Sequence, residues 1–151
     1  MNNDNLIIIS KLERYCSYQE RCSHEVIQKL RTFEHSDSER DEILKHLTDE
    51  GFIDDRRYAL AFARGKSRHK GWGSIKIRHA LLAKGIPTSL IQEALLEIGS
   101  NDYKEQLIKI LSSKKIKDED PNIRKAKLAQ YAIRKGYEAS LVWDVLKTIE
   151  Y

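Results

Sequence analysis

Two adjacent carboxylates, Asp54 and Asp55, head a segment otherwise rich in arginine and lysine, 50-EGFIDDRRYALAFARGKSRHKGWG-73. Paired acids of this kind can hold a divalent cation, or divide general-acid and general-base work between them. Either chemistry needs further convergent groups, and no motif in the chain places a third acid or a histidine beside the pair. Cys16 and Cys22 are the only cysteines, and His24 stands close to the second. Their spacing fits no usual zinc pattern, so they read as reduced, buried or half-buried thiols rather than metal ligands or a disulfide. The patterns of a hydrolase triad and of a glycine-rich nucleotide loop are missing as well. No cofactor, no metal and no enzymatic activity are expected.

The acidic pair has a structural use instead. Gly51 fits the left-handed position just past a helix end, with Phe52 within reach of Leu47. Asp54 then fits an N-cap, its carboxylate accepting from open amides of the first turn. Asp55 lies inside that turn, where the helix dipole favours a negative charge. Ile53 and Tyr58 stand at the two ends of an expected hydrophobic staple.

Behind the cap, Tyr58, Ala59, Phe62 and Ala63 form an apolar stripe at helical spacing, which leaves Arg56, Arg57 and Arg64 mostly off it. The helix runs into 66-KSRHKGWG-73, where Lys66, Arg68 and Lys70 precede a Gly-Trp-Gly turn. In the following helix Lys76 and His79 point away from Ile75, Ile77, Leu81 and Leu82. Arg78 falls in the apolar sector and must extend outward along its stem.

Charge is spread unevenly. Residues 1–51 carry 7 basic and 11 acidic side chains, residues 52–90 carry 9 and 2, and residues 91–151 carry 11 and 10, although the whole chain is only +4. The acidic first third argues against a uniformly basic surface. The middle third predicts a surface for phosphates or an acidic partner, formed by Arg57, Arg64, Lys66, Arg68, Lys70, Lys76 and Arg78. Trp72 could stack there on a base or on the partner. The tight turn should gather Arg64, Lys66, Arg68, Lys70 and Lys76 into one cationic patch.

The elements that carry these residues repeat. The segment 81-LLAKGIPTSLIQEAL-95 matches 132-AIRKGYEASLVWDVL-146 at an offset of 51. Both place Lys before Gly85 or Gly136, and Leu five residues after it. Ile91 or Val142, Ala94 or Val145, and Leu95 or Leu146 follow in register. A further step back reaches Glu34 and then Ile43 and Leu44, a weaker first copy. Each copy reads as about three helices. Ile8, Leu12, Tyr15 and Cys16 mark the first helix, although the β-branched Ile7-Ile8-Ile9 also suits a strand. Val26, Ile27 and Leu30 follow Ser23. Ser36 and Glu39 fit a capping box, and Asp120-Pro121 a helix start. With 2 prolines and 7 glycines in 151 residues, a turn-rich β protein is disfavoured. The apolar run Leu6 to Ile9 is too short to span a bilayer, and no secretory leader is read, so a cytoplasmic protein without a membrane partner is expected.

Taken together, these residues resemble the RecX family, bacterial regulators of the RecA recombinase. The resemblance rests on Gly51-Phe52-Ile53-Asp54-Asp55, Tyr58-Ala59, Phe62, Lys70-Gly71, Ile75, Leu81, Lys84-Gly85-Ile86, Ile91 and Ala94-Leu95. Weaker matches are Ser23 to Leu30, Tyr131, Lys135-Gly136-Tyr137 and Val145-Leu146. It implies an all-α fold of three tandem three-helix repeats forming an elongated, curved array, here divided as 1–52, 53–100 and 101–151. It further implies a non-enzymatic monomer that binds RecA filaments on DNA. Such a protein lodges in the filament groove and suppresses ATP hydrolysis, strand exchange and co-protease activity. Contact with single- or double-stranded DNA is implied more weakly, or within the filament. The alternative is a stand-alone helical DNA-binding protein, which lacks a recognition helix with Asn, Gln and Arg clustered near its start.

Overall fold

The computed structural model describes residues 2–99 and 101–151. Among them are nine α-helices and no strand: α1 (Asn3–Tyr18), α2 (Ser23–Leu30), α3 (Asp37–Asp49), α4 (Asp55–Lys70), α5 (Ser74–Ala83), α6 (Thr88–Ile98), α7 (Asn101–Ser113), α8 (Pro121–Arg134) and α9 (Ala139–Leu146). The third helix of each triplet begins at 37, 88 and 139, two steps of 51. The expected boundary between 100 and 101 falls on Ser100, outside the described residues. No helix among the described residues is long and apolar enough to cross a membrane.

Local chemistry sets the helix ends. The Asn2 side chain accepts from the Asn5 amide at 2.8 Å and opens α1. Ile7-Ile8-Ile9 is helical because burial, not β propensity, decides it: Ile8, Ile9 and Leu12 face inward while Ile7 is exposed. Ser36 and Glu39 form the capping box of α3, each side chain meeting the other's amide at 3.2 and 3.1 Å. Asp54 caps α4 by accepting from the Arg57 amide at 3.0 Å. Asp120 caps α8 ahead of Pro121, accepting from the Asn122 amide at 2.9 Å. Gly51 is left-handed at φ 78°, and the Phe52 amide beyond it donates to the Leu47 carbonyl at 2.8 Å.

Three clusters of buried side chains follow the triplets. The first holds Ile8, Leu12, Val26, Leu30, Ile43, Leu47 and Ile53. The second holds Tyr58, Ala59, Ala63, Ile77, Leu81, Ile91 and Ala94, and it takes in Cys22 from the first triplet. The third is built on Leu107, Leu111, Leu128, Tyr137, Val142 and Leu146. Full burial of each large aliphatic contributes about 1.5–3 kcal/mol. Ile53 and Tyr58 belong to different clusters, so the staple expected between them is split across two cores. Ile75 and Leu82, expected inside, are exposed at 42% and 49%. The short α5 faces the core through Ile77 and Leu81, one turn apart, and its flanks remain in solvent.

Consecutive triplets dock by the same rule. Cys22, at the start of α2, sends its thiol to the Lys84 carbonyl at the end of α5, at 3.9 Å. Gly73, 51 residues after Cys22, donates its amide to the carbonyl of Lys135, 51 residues after Lys84, at 2.8 Å. The Ile75 amide adds a bond to the Gly136 carbonyl at 3.0 Å. In both cases the N-terminus of a middle helix meets the C-terminus of the next middle helix, a favourable alignment of dipoles. At the second junction the backbones touch: a Cβ on Gly73 would lie 2.3 Å from the Gly136 carbonyl carbon.

Candidate functional site

The basic half of α4 does not present one face. Each residue turns about 100° around a helix, so Arg64 and Lys66 project to nearly opposite sides. Arg64 pairs with Glu97 of α6, and Arg56 with Glu93 of the same helix at 2.8 Å. Arg57 reaches Glu20 at 2.8 Å. Arg68 overlooks a hollow between α4 and α7 that also holds Asp102, Glu105 and Gln106. Arg78 lines a separate groove with Leu95, Leu96 and Glu138. The single patch expected from Arg64, Lys66, Arg68, Lys70 and Lys76 is therefore divided by the helical turn. The arginines on one side have acids for neighbours.

The other side gathers lysines without acids. The ammoniums of Lys66 and Lys76 lie 4.9 and 4.4 Å from the centre of the Trp72 ring. Phe62 meets that ring edge-on at 6.3 Å. The Trp72 amide donates to the Lys66 carbonyl at 3.0 Å, which fixes the indole beside the end of α4. Lys135 crosses from the third triplet and donates to the Lys70 carbonyl at 3.0 Å, a cation at the negative end of α4. Lys135 and Lys114 also sit 5.7 and 4.6 Å from the Tyr131 ring. Among the described residues none of Lys66, Lys70, Lys76, Lys114 or Lys135 makes an ion pair. The result is a basic stripe running from α5 across the end of α4 to α7 and α8, interleaved with Trp72 and Tyr131.

Sequence reasoning gave Lys114, Tyr131 and Lys135 no place in the basic surface, although Tyr131 and Lys135 are among the residues of the family resemblance. The signal was present in the repeat: Lys135 stands 51 residues after Lys84, both precede a left-handed glycine, and each offers its carbonyl to the preceding triplet.

A polar knot braces the same junction between the second and third triplets. Tyr103 accepts from the Ser74 amide at 3.0 Å and donates to the Glu138 carboxylate at 3.0 Å, and Ser74 Oγ also bonds Glu138. Burial pushes the Tyr103 phenol up to about 12, so it stays a neutral donor across the physiological range. Gln106 spans the same junction, donating to the Ser67 carbonyl at 2.6 Å and the Tyr137 hydroxyl at 3.0 Å. The Asp54 and Asp55 carboxylates both serve helix N-termini. Besides lying in the first turn of α4, Asp55 accepts from the first amide of α2. Burial raises the Cys16 and Cys22 thiols, which keeps them protonated and poorly nucleophilic. Among the described residues no group of three His, Cys, Asp or Glu side chains could hold a metal ion. The arrangement suits recognition of polyanions by cation and ring.

Comparison with known proteins agrees with the triplets. Residues 54–95 match the family model for the second three-helix domain of RecX, and residues 102–146 the model for the third. Over 129 residues the chain is 33% identical to the regulatory protein RecX of Clostridium beijerinckii, covering 83% of this chain and 60% of that one. It is 28% identical to the regulatory protein RecX of Chlorobium phaeobacteroides, covering 90% and 89%. A crystal structure of RecX from Lactobacillus salivarius superposes with a TM-score of 0.88 at 22% identity, over 98% of this chain and 97% of that one. A second crystal structure, of regulatory protein RecX, gives 0.86 at 26% identity, over 97% and 74%. The chain spans about half to three fifths of the length of most of the curated relatives it matches.

Proposed function

The chain belongs to the RecX family, and from that premise we propose that it inhibits the RecA recombinase by binding RecA–DNA filaments. It acts as a cytoplasmic monomer, with no cofactor and no chemistry of its own, and its three units are 1–52, 53–100 and 101–151. Filament binding lowers ATP hydrolysis, strand exchange and co-protease activity together. The observation that carries this reading is the convergence of Lys66 and Lys76 on Trp72, with Lys135 arriving from the next triplet. Such a stripe fits a run of phosphates or an acidic protein ridge, because among the described residues its lysines have no carboxylate partner. Within the proposed surface, Lys66, Lys70, Trp72 and Lys76 face the filament. Arg57, Arg64, Arg68 and Arg78 steer the approach from its flanks.

The test is ATP hydrolysis by RecA on single-stranded DNA, followed as this protein is added at several salt concentrations. Hydrolysis should fall, and less so as salt rises. Hydrolysis unchanged at every salt concentration would remove the reading.

A further inference from the structure

The first triplet is net acidic, yet one group of its basic side chains stands apart from its paired acids. Glu20 and Glu25 point to the second triplet, where they take Arg57 and Lys84. Asp37, Asp41 and Asp49 lie on α3 and pair with Arg40 and Lys45 of the same helix. Lys11, Arg14, Arg21 and Lys29 are left on the open side of α1 and α2. Among the described residues none of the four makes an ion pair.

These four cations line one groove of about 580 Å³ with Tyr15, Tyr18 and Phe33, and no acid lines it. Arg21 stacks over the Tyr15 ring at 3.8 Å, with its Nε held by the Tyr15 carbonyl at 3.2 Å. Lys11 stands 5.5 Å from the Phe33 ring. Tyr18, at the end of α1, is 82% exposed, and among the described residues no ring stacks on it and no cation sits over its ring. A large aromatic held in water has a face to offer, and the cations beside it have charge to offer.

We propose that this groove binds single-stranded nucleic acid, with phosphates along Lys11, Arg14 and Lys29 and an unstacked base on Tyr18. The site is separate from the stripe at Trp72. A single strand fits better than a duplex because a duplex hides its base faces, leaving Tyr18 without a partner. A sequence-independent mode is expected, since cations and a ring read no base edge.

The experiment measures the fluorescence anisotropy of labelled oligothymidylate and oligouridylate against the full chain carrying Lys66→Ala and Lys76→Ala, which removes both cations at Trp72 from the central stripe. Both oligomers should still bind. Adding Tyr18→Ala should weaken binding about tenfold, the loss of one stacked base. Adding Lys11→Ala and Lys29→Ala instead should lower the slope of log affinity against log salt by about 1.4, two phosphate contacts on a single strand. All three positions are exposed, so the helical spectrum should not change. Binding that disappears with the central stripe, or that ignores Tyr18, Lys11 and Lys29, overturns the proposal. So does polyglutamate competing as well as oligothymidylate, which would mark a surface for an acidic protein.

Discussion

The carboxylate of Asp55 accepts both the backbone amide and the hydroxyl of Ser23, at 2.8 and 2.9 Å, so one residue in the first turn of α4 also closes the first turn of α2. The contact joins two helix N-termini through a single anion, and each dipole favours it. Asp55→Ala should therefore lower stability by about 1–2 kcal/mol, the range for a lost helix-terminal acceptor. Urea unfolding checks this. A loss no larger than that of an exposed surface substitution would show that the contact contributes nothing.

Asp54 serves only its own helix. Asp54→Ala should cost about 0.5–2 kcal/mol and leave inhibition of RecA unchanged once the protein is folded. A variant of unaltered stability that no longer inhibits would make Asp54 a contact residue.

Two glycines separate conformational strain from crowding. Gly51 is left-handed with open space around it, so Gly51→Ala should cost about 1 kcal/mol through its φ alone. Gly73 has an ordinary φ of −83°, but its added methyl meets the Gly136 backbone. Gly73→Ala should thus destabilise by more than Gly51→Ala, in the range of about 1–3 kcal/mol expected for overpacking. The reverse order in thermal unfolding would mean that the junction yields easily.

Acid should loosen the first junction through Glu25. Burial opposes its charge, yet the Cys22 amide at 3.2 Å and the Lys84 ammonium at 3.5 Å hold its carboxyl below the ordinary glutamate range. A depressed carboxyl contributes stability that is present above its unfolded value and lost as pH falls through the folded one. Glu25→Gln should accordingly be less stable than the parent at pH 7, with the two melting temperatures converging below about pH 4. Parallel curves down to pH 3 would contradict this.

Lys66→Ala with Lys76→Ala should weaken inhibition of RecA ATP hydrolysis and flatten its salt dependence by about two units of slope. Arg64→Ala, which gives up the pair with Glu97 and one of the four flanking charges, should weaken inhibition less than that double substitution. Equal losses from both variants would erase the distinction between the two sides of α4.

The helix ends were legible because their causes are local. Ser36 with Glu39, Asp54, Asp120 with Pro121, and Gly51, Gly85 and Gly136 each act over a single turn, and each sits where its type indicated. The family was legible for the same reason, through residues dense around the second triplet. The site was half legible. Lys66, Trp72 and Lys76 come together because the Gly-Trp-Gly turn folds them together. Arg64 and Arg68 do not join them, because composition counts charges without asking which side of a helix they occupy. Lys135 and Tyr131 were invisible to local reasoning, since docking between triplets brings them in from more than fifty residues away. The basic groove of the first triplet was hidden in the same manner, because the triplet's sum is acidic while that groove is lined by no acid.

The two junctions follow one rule but differ in material. The first is closed by side chains: a thiol to a carbonyl, a glutamate to a lysine, an aspartate to a serine. The second is closed by main chain on main chain, with glycines letting the backbones touch and the Tyr103 knot bracing them. Side chains can rotate away and re-form, whereas interlocked backbones part only as a whole. Flexure along the array should therefore concentrate at the first seam, between α2 and α5, where amide exchange is expected to be faster than at the second.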